Sequence, residues 1–209
     1  MHIPSSPTAA LSVLPFEEAL HDALCEQSEY NVKKWLYVPP FYGEYRYILG
    51  TRGENPFICI GINPSTAAPD NLDNTLKSVS RVAAFNGFDS FIMFNVYAQR
   101  ATDPDDMEKS MNPLLHAENL KAFRYILSHC KKTPSVWAAW GAIIEKRDYL
   151  PLLIRDFAAI GKEYGAAWYS CGRISKKGHP HHPLYLPTES RAEVFDIDGY
   201  LANQTAYRR

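Results

Sequence analysis

Four apolar runs of strand length, at residues 56–62, 91–94, 135–139 and 167–171, each give way abruptly to a cluster of polar, glycine and proline residues. Helical periodicity fills the intervals between them. Strands joined by helix-length crossovers pair in parallel, and near-continuous apolar runs mark strands covered on both faces. The pattern predicts a three-layer α/β/α fold around a central, mainly parallel four-stranded sheet. Open parallel sheets bind ligands in the crevice outside the carboxyl ends of their strands. The four polar clusters are the residues that should converge there.

The connecting segments carry their own signals. Asp73 or Asn74 is placed to cap a helix running to about residue 86, with Leu72, Leu76, Val79 and Ala83 on one face and Gly87 to end it. Asn112-Pro113 reads as an N-cap and first-turn pair, followed by a helical face of Leu120, Phe123, Ile126, Leu127 and Cys130. Residues 142–160 read as helix interrupted near Pro151, and 191–203 as a terminal helix weakened by Gly199. Before the first core strand, the pattern gives a short helix over 17–26 and an edge strand over 45–49. Residues 1–15 read as a loose arm, and 16–209 as a single α/β domain.

Composition narrows the function classes. The 209 residues are 46% hydrophobic and 22% charged with a formal net charge of −1, so no overall positive field draws the chain to nucleic acid or anionic membrane. Arg173, Lys176 and Lys177 form a local basic cluster. An apolar run of about 18 residues and a basic-then-apolar leader are both missing, so neither a membrane span nor a signal peptide is expected. The four cysteines lack a C-x-x-C pair and read as free thiols of a reducing, cytoplasmic compartment. The phosphate-loop, dinucleotide, zinc-protease and serine-hydrolase signatures do not occur. No cofactor or metal is expected.

The first cluster is Asn63-Pro64-Ser65-Thr66. Asn63 either holds a water or substrate edge, being both donor and acceptor, or closes its own turn. Ser65 lacks the elbow glycines of a nucleophile but can contact substrate. Asp73 either caps its helix or offers a carboxylate to ligand. In the second cluster, Asn95 leaves the strand, Arg100 suits a phosphate or base edge or pairs with Asp103, and Thr102 touches ligand or locks the loop. Trp140-Gly141 forms the third. The fourth carries His179-Pro180-His181-His182-Pro183-Leu184-Tyr185, where neighbouring histidines fit one metal poorly. His182 reads either as a donor to developing negative charge or as a histidine bonded to backbone. Asn63 and His182 are thus the candidate catalytic pair. Ser65, Asp73, Asn95, Arg100, Thr102, Trp140, His179 and Tyr185 are candidate substrate contacts.

Several runs together resemble the family called domain of unknown function 1643, over about residues 58–187. They are Asn63-Pro64-Ser65-Thr66-Ala67, Asp73-Asn74-Thr75, Gly87-Phe88, Asn95-Val96-Tyr97-Ala98, Arg100-Ala101-Thr102-Asp103-Pro104, Trp140-Gly141 and His182-Pro183-Leu184-Tyr185. More distantly, Gly61-Ile62-Asn63-Pro64 resembles the first motif of the mismatch-specific branch of the uracil-DNA glycosylase superfamily. His182-Pro183 and the apolar residues after it resemble that superfamily's second motif. This second resemblance implies a uracil-DNA-glycosylase-like sheet and an N-glycosylase (a DNA-repair hydrolase) acting on a nucleobase in nucleic acid. Asn63 would orient the hydrolytic water and His182 would donate to the departing base. Residues 184–186 would probe the duplex, and Tyr97 or Trp140 would stack on the extruded base. The chain departs from the pattern in lacking the acidic water-activating motif of the main uracil branch, and in having Leu184-Tyr185 where small residues are usual. Two other expectations stand beside it: a nucleoside- or nucleotide-binding small-molecule enzyme or sensor, and a non-catalytic binding module of the same fold.

Overall fold

The computed structural model describes residues 1–25 and 29–206. Its elements in chain order are α1 (Phe16–Ala23), β1 (Trp35–Val38), β2 (Ile48–Thr51), β3 (Pro56–Gly61), α2 (Asn74–Phe85), β4 (Ser90–Asn95), α3 (Pro113–Ser128), β5 (Ser135–Ala138), α4 (Leu150–Glu163), β6 (Ala167–Cys171), β7 (Ala192–Val194) and α5 (Ile197–Ala206). Short 3-10 turns lie at Thr8–Ala10, Pro104–Asp106 and Gly141–Glu145.

Alternate residues of the core strands go to opposite faces, and helices cover both. Ile58, Ile60, Ile92, Phe94, Val136 and Ala138 face a cluster completed by Phe16 of α1, Phe123 of α3, Phe157 of α4 and Tyr200 of α5. Phe57, Cys59, Phe91, Met93 and Trp137 face Leu76, Val79, Val82 and Ala83 of α2. Burial on both faces explains the continuous apolar runs, since each fully buried aliphatic or aromatic side chain contributes about 1.5–3 kcal/mol.

The strand order is β1-β2-β4-β3-β5-β6-β7. β4, β3, β5 and β6 are parallel neighbours, with Ile58 opposite both Ile92 and Val136. β2 runs antiparallel to β4, β1 to β2, and β7 to β6. The sheet is therefore seven-stranded and mixed among the described residues, not the four-stranded one expected. β1 is a short apolar run of four residues, joined to β2 through a segment carrying Pro39, Pro40 and Gly43. β7 occupies part of the segment expected to be helical, and α5 begins only at Ile197. The expected strand over 45–49 is shifted: Tyr45 makes an isolated bridge with Gln99, and β2 starts at Ile48. After β3 the chain crosses to β4 on one side and later returns to β5 on the other. This reversal places a topological switch point at the carboxyl end of β3, where such sheets open a crevice.

Helix starts follow the caps read from the sequence. The Asp73 carboxylate accepts from Leu76 N at 2.9 Å, and Asn112 Oδ1 accepts from Leu114 N and Leu115 N, with Pro113 behind it. Pro151 does not interrupt a helix but sits in the first turn of α4, where a missing N–H leaves no bond unmade. α1 ends at Ala23, and residue 26 of the helix expected there lies outside the described residues.

The amino-terminal arm makes hydrogen bonds to the rest of the chain at several points. His2 N donates to Thr102 Oγ1 at 2.6 Å, Ser5 Oγ to Glu44 at 2.8 Å and Thr8 Oγ1 to Glu108 at 2.6 Å. The Tyr47 hydroxyl donates to Leu14 O at 2.7 Å. Short polar side chains at matched spacing anchor an arm whose composition alone looks unstructured. Cys59, Cys130 and Cys171 are free thiols. Among the described residues no helix is long and apolar enough to cross a membrane.

Candidate active site

The carboxyl ends of β3 and β4, the start of α2, the turn after β5 and the loop after β6 enclose a cavity of about 420 Å³. Asn63, Ser65, Asp73, Asn95, Thr102 and His182 all line it. Six of the ten site residues read from the sequence are therefore brought together at one place, including the two assigned to catalysis.

Gly61 is what lets the strand ends close on each other. A Cβ there would meet Met93 Cε at 2.6 Å and Asn95 Nδ2 at 3.1 Å, so a side chain would push Asn95 out of position. Two residues on, the Asn63 amide donates from Nδ2 to Ala101 O at 2.6 Å and Pro64 O at 3.1 Å. These bonds fix the carboxamide and leave its Oδ1 as the free acceptor. Asn95 is buried; its Oδ1 accepts from Arg46 and its carbonyl from Asn119 Nδ2. At the rim, Ser65 Oγ donates to Thr102 Oγ1 at 3.2 Å.

His182 is seated against Gly141, whose φ of +61° and closeness (a Cβ would stand 3.2 Å from His182 Cβ) both call for glycine. Its Nδ1 accepts from Leu184 N at 3.3 Å, which leaves the ring proton on Nε2 as a donor. Burial, reinforced by neighbouring His181 and only partly opposed by Asp73, pushes the His182 pKa down to about 4. The imidazole is neutral at pH 7. Its contribution to folding is full above about pH 6.5, the ordinary histidine value, and is lost as pH falls to about 4. In that window the unfolded chain takes up the proton and the folded chain does not, which is worth up to about 3 kcal/mol. His182→Gln is therefore expected to flatten the fall in stability between pH 6.5 and 4, measured by urea unfolding at stepped pH. Identical slopes in both proteins would rule out a neutral, buried ring.

Arg46 also lines the cavity and was not among the residues singled out from the sequence. It is 1% exposed, and its guanidinium donates to Ala67 O at 3.3 Å and Asn95 Oδ1 at 3.2 Å. Burial first, then the like charge of Arg100, lowers its pKa to about 9, so it stays charged at neutral pH.

The family model described as "Protein of unknown function (DUF1643)" matches residues 46–184, about two thirds of the chain. The chain belongs to that family. The matched span begins at Arg46 and ends at Leu184, both of which line the cavity. No curated protein and no solved structure matches the chain.

In this DUF1643 member the other four candidates stand apart from the cavity lining. Arg100 is fully buried and clamps the preceding loop: it donates to Ser65 O, to Ala67 O at 3.3 Å and to the Tyr37 hydroxyl at 2.9 Å, and lies over the Tyr42 ring. It does not pair with Asp103, which caps the next turn through Asp105 N. Trp140 is fully buried among Trp168, Phe195 and Tyr200, and its Nε1 donates to the Tyr200 hydroxyl at 3.0 Å. That hydroxyl in turn meets His179 Nδ1, whose Nε2 faces Glu145 at 2.9 Å. Both residues thus serve the docking of α5. Tyr97 is likewise buried, with its hydroxyl on Glu108 and Asn112 N. Tyr185 is 88% exposed at a φ of +71°, directly after Leu184 of the cavity wall. The three loop histidines turn to different partners, and among the described residues no group of His, Cys, Asp or Glu is arranged to hold a metal. Lys177 of the basic cluster pairs with Glu145 at 2.7 Å.

Proposed function

We propose that this chain is an N-glycosidase-type hydrolase that cleaves the bond between a nucleobase and its sugar. The observation that carries the reading is the pairing, in one cavity of about 420 Å³, of a free amide acceptor on Asn63 with an Nε2–H donor on neutral His182. The volume falls in the range of sites that enclose small ligands. In the reaction the C–N bond breaks and its electron pair passes to the base. His182 Nε2–H donates to the base oxygen on which that charge gathers. A neutral, preorganised donor in a water-poor site stabilises such charge without losing its proton. Asn63 Oδ1 accepts from the water that attacks the cation-like sugar carbon. Asp73, whose Oδ1 caps α2, keeps its second oxygen to take the proton that water loses; the proton finally resides on the released base.

The resemblance of the segments around Asn63 and His182 to the mismatch-specific glycosylase motifs belongs to the same reading, as does the parallel centre of the sheet. For a base within nucleic acid, exposed Tyr185 and its neighbour Leu184 supply the apolar probe. Free nucleotide binding in the same cavity is the second reading, favoured by the buried charge of Arg46.

The test is base release. Labelled duplexes and single strands carrying uracil, mismatched or modified bases are incubated with the protein beside free nucleosides and nucleotides. Released base is read by chromatography, and abasic sites by alkaline cleavage. Release from one substrate class is the expected result. Saturable binding without release from any of them would replace hydrolysis with a sensor or binding role.

A further inference from the structure

We infer that this cavity contains a phosphoryl-binding subsite built by Arg46 and the first turn of α2. Arg46 is almost wholly buried yet lines the cavity, and among the described residues no carboxylate stands within 4 Å of its guanidinium. Its two bonds go to neutral oxygens at 3.2 and 3.3 Å, and its Nε has no partner. Arg100 is buried close by, its Nε also unpartnered, and its positive charge adds to the unfavourable field. Among the described lining residues Arg46 is the one arginine or lysine and Asp73 the one acid, and that acid is already engaged with Leu76 N. A buried charge left without a counter-ion is costly, and an arginine in a cavity wall gains that counter-ion from an anionic ligand.

The same lining offers further donors. Asn74 and Thr75 of the twelve-residue α2 line the cavity, and first-turn N–H groups have no intrahelical acceptor. Helix-start N–H groups together with a guanidinium supply more donors than a planar carboxylate has oxygens to accept them, and a phosphoryl group has three. The subsite therefore takes a phosphoryl group, brought either by inorganic phosphate or by a nucleoside monophosphate. It stands on the cavity's charges and not on N-glycosidic cleavage; joined to that reading, it makes the substrate a small phosphorylated nucleoside rather than a base within a strand.

Inorganic phosphate is titrated into the full chain at constant ionic strength and followed by calorimetry and thermal unfolding. Saturable one-site binding is expected. Arg46→Met should weaken it about 10- to 100-fold, the value of a charge-assisted bidentate contact. Without ligand this variant should unfold at or above the wild-type temperature, because an unpaired buried charge has gone. Asp73→Asn, which keeps a good helix cap, should bind phosphate about 5-fold tighter by removing a nearby negative charge. This second variant decides the matter if Arg46→Met does not fold. A nucleoside monophosphate that outbinds its nucleoside by a factor lost in the Arg46 or raised in the Asp73 variant supports the subsite with a nucleotide as its source. Phosphate binding with no gain from the nucleoside supports it with free phosphate as the source. Absence of saturation in the wild type, or affinities unchanged in both variants, overturns it. Failure of base release with intact phosphate binding overturns the hydrolase reading alone.

Discussion

His182→Ala should lower the rate of base release about 10²- to 10³-fold, the cost of removing one preorganised donor from a developing anion. The fold should survive, because the His182 ring makes a single hydrogen bond, the 3.3 Å contact from Leu184 N. Asn63→Ala should cost a similar factor in kcat together with about 1 kcal/mol of stability, since its Nδ2 also holds Ala101 O. The double variant should fall well short of the product of the two losses, because water and leaving group belong to one transition state. Single-turnover release, with the folded fraction checked by circular dichroism, measures all three. Because burial holds the His182 pKa near 4, the rate should show no inflection near pH 6.5. Wild-type rates in both single variants would remove these residues from the chemistry.

Trp140→Ala should destabilise the protein by about 3–5 kcal/mol, as expected for a large aromatic deleted from a packed interior. Trp140 is fully buried, touches three rings and donates the bond that begins the Tyr200–His179–Glu145 chain. Trp140→Phe, which keeps much of the volume but not the donor, should cost about 1–3 kcal/mol by leaving that chain incomplete. Urea unfolding gives both values. The rate per folded molecule should be unchanged, whereas a ring that stacked on substrate would raise KM on truncation.

These contrasting roles show how far the sequence could be read. The four core strands were legible because burial on both faces writes itself as unbroken apolar runs, and their parallel pairing followed from the helices between them. Asn63 and His182 could be brought to one place for the same reason: residues just past strands of one parallel sheet share an edge. Arg46 was not legible. It sits between Tyr45 and Tyr47 in a weakly alternating segment, which reads as a charged residue on a solvent face. Its partners Ala67, Asn95 and Ala98 lie on distant segments, which the pattern around residue 46 does not reveal. Arg100 and His179 looked like ligand contacts for the converse reason. Guanidinium and imidazole suit a loop clamp as well as a substrate, and only the partners Ser65, Ala67 and Tyr37 for one, and Tyr200 and Glu145 for the other, separate the two uses.

The His2 backbone, through its N–H and its carbonyl, grips Thr102 from both sides, and Thr102 shares the cavity rim with Ser65. A peptide placed a hundred residues upstream thereby helps hold a residue of the cavity lining in place. Amide exchange at Thr102 should report each excursion of that peptide, because the Thr102 N–H is held by the His2 carbonyl.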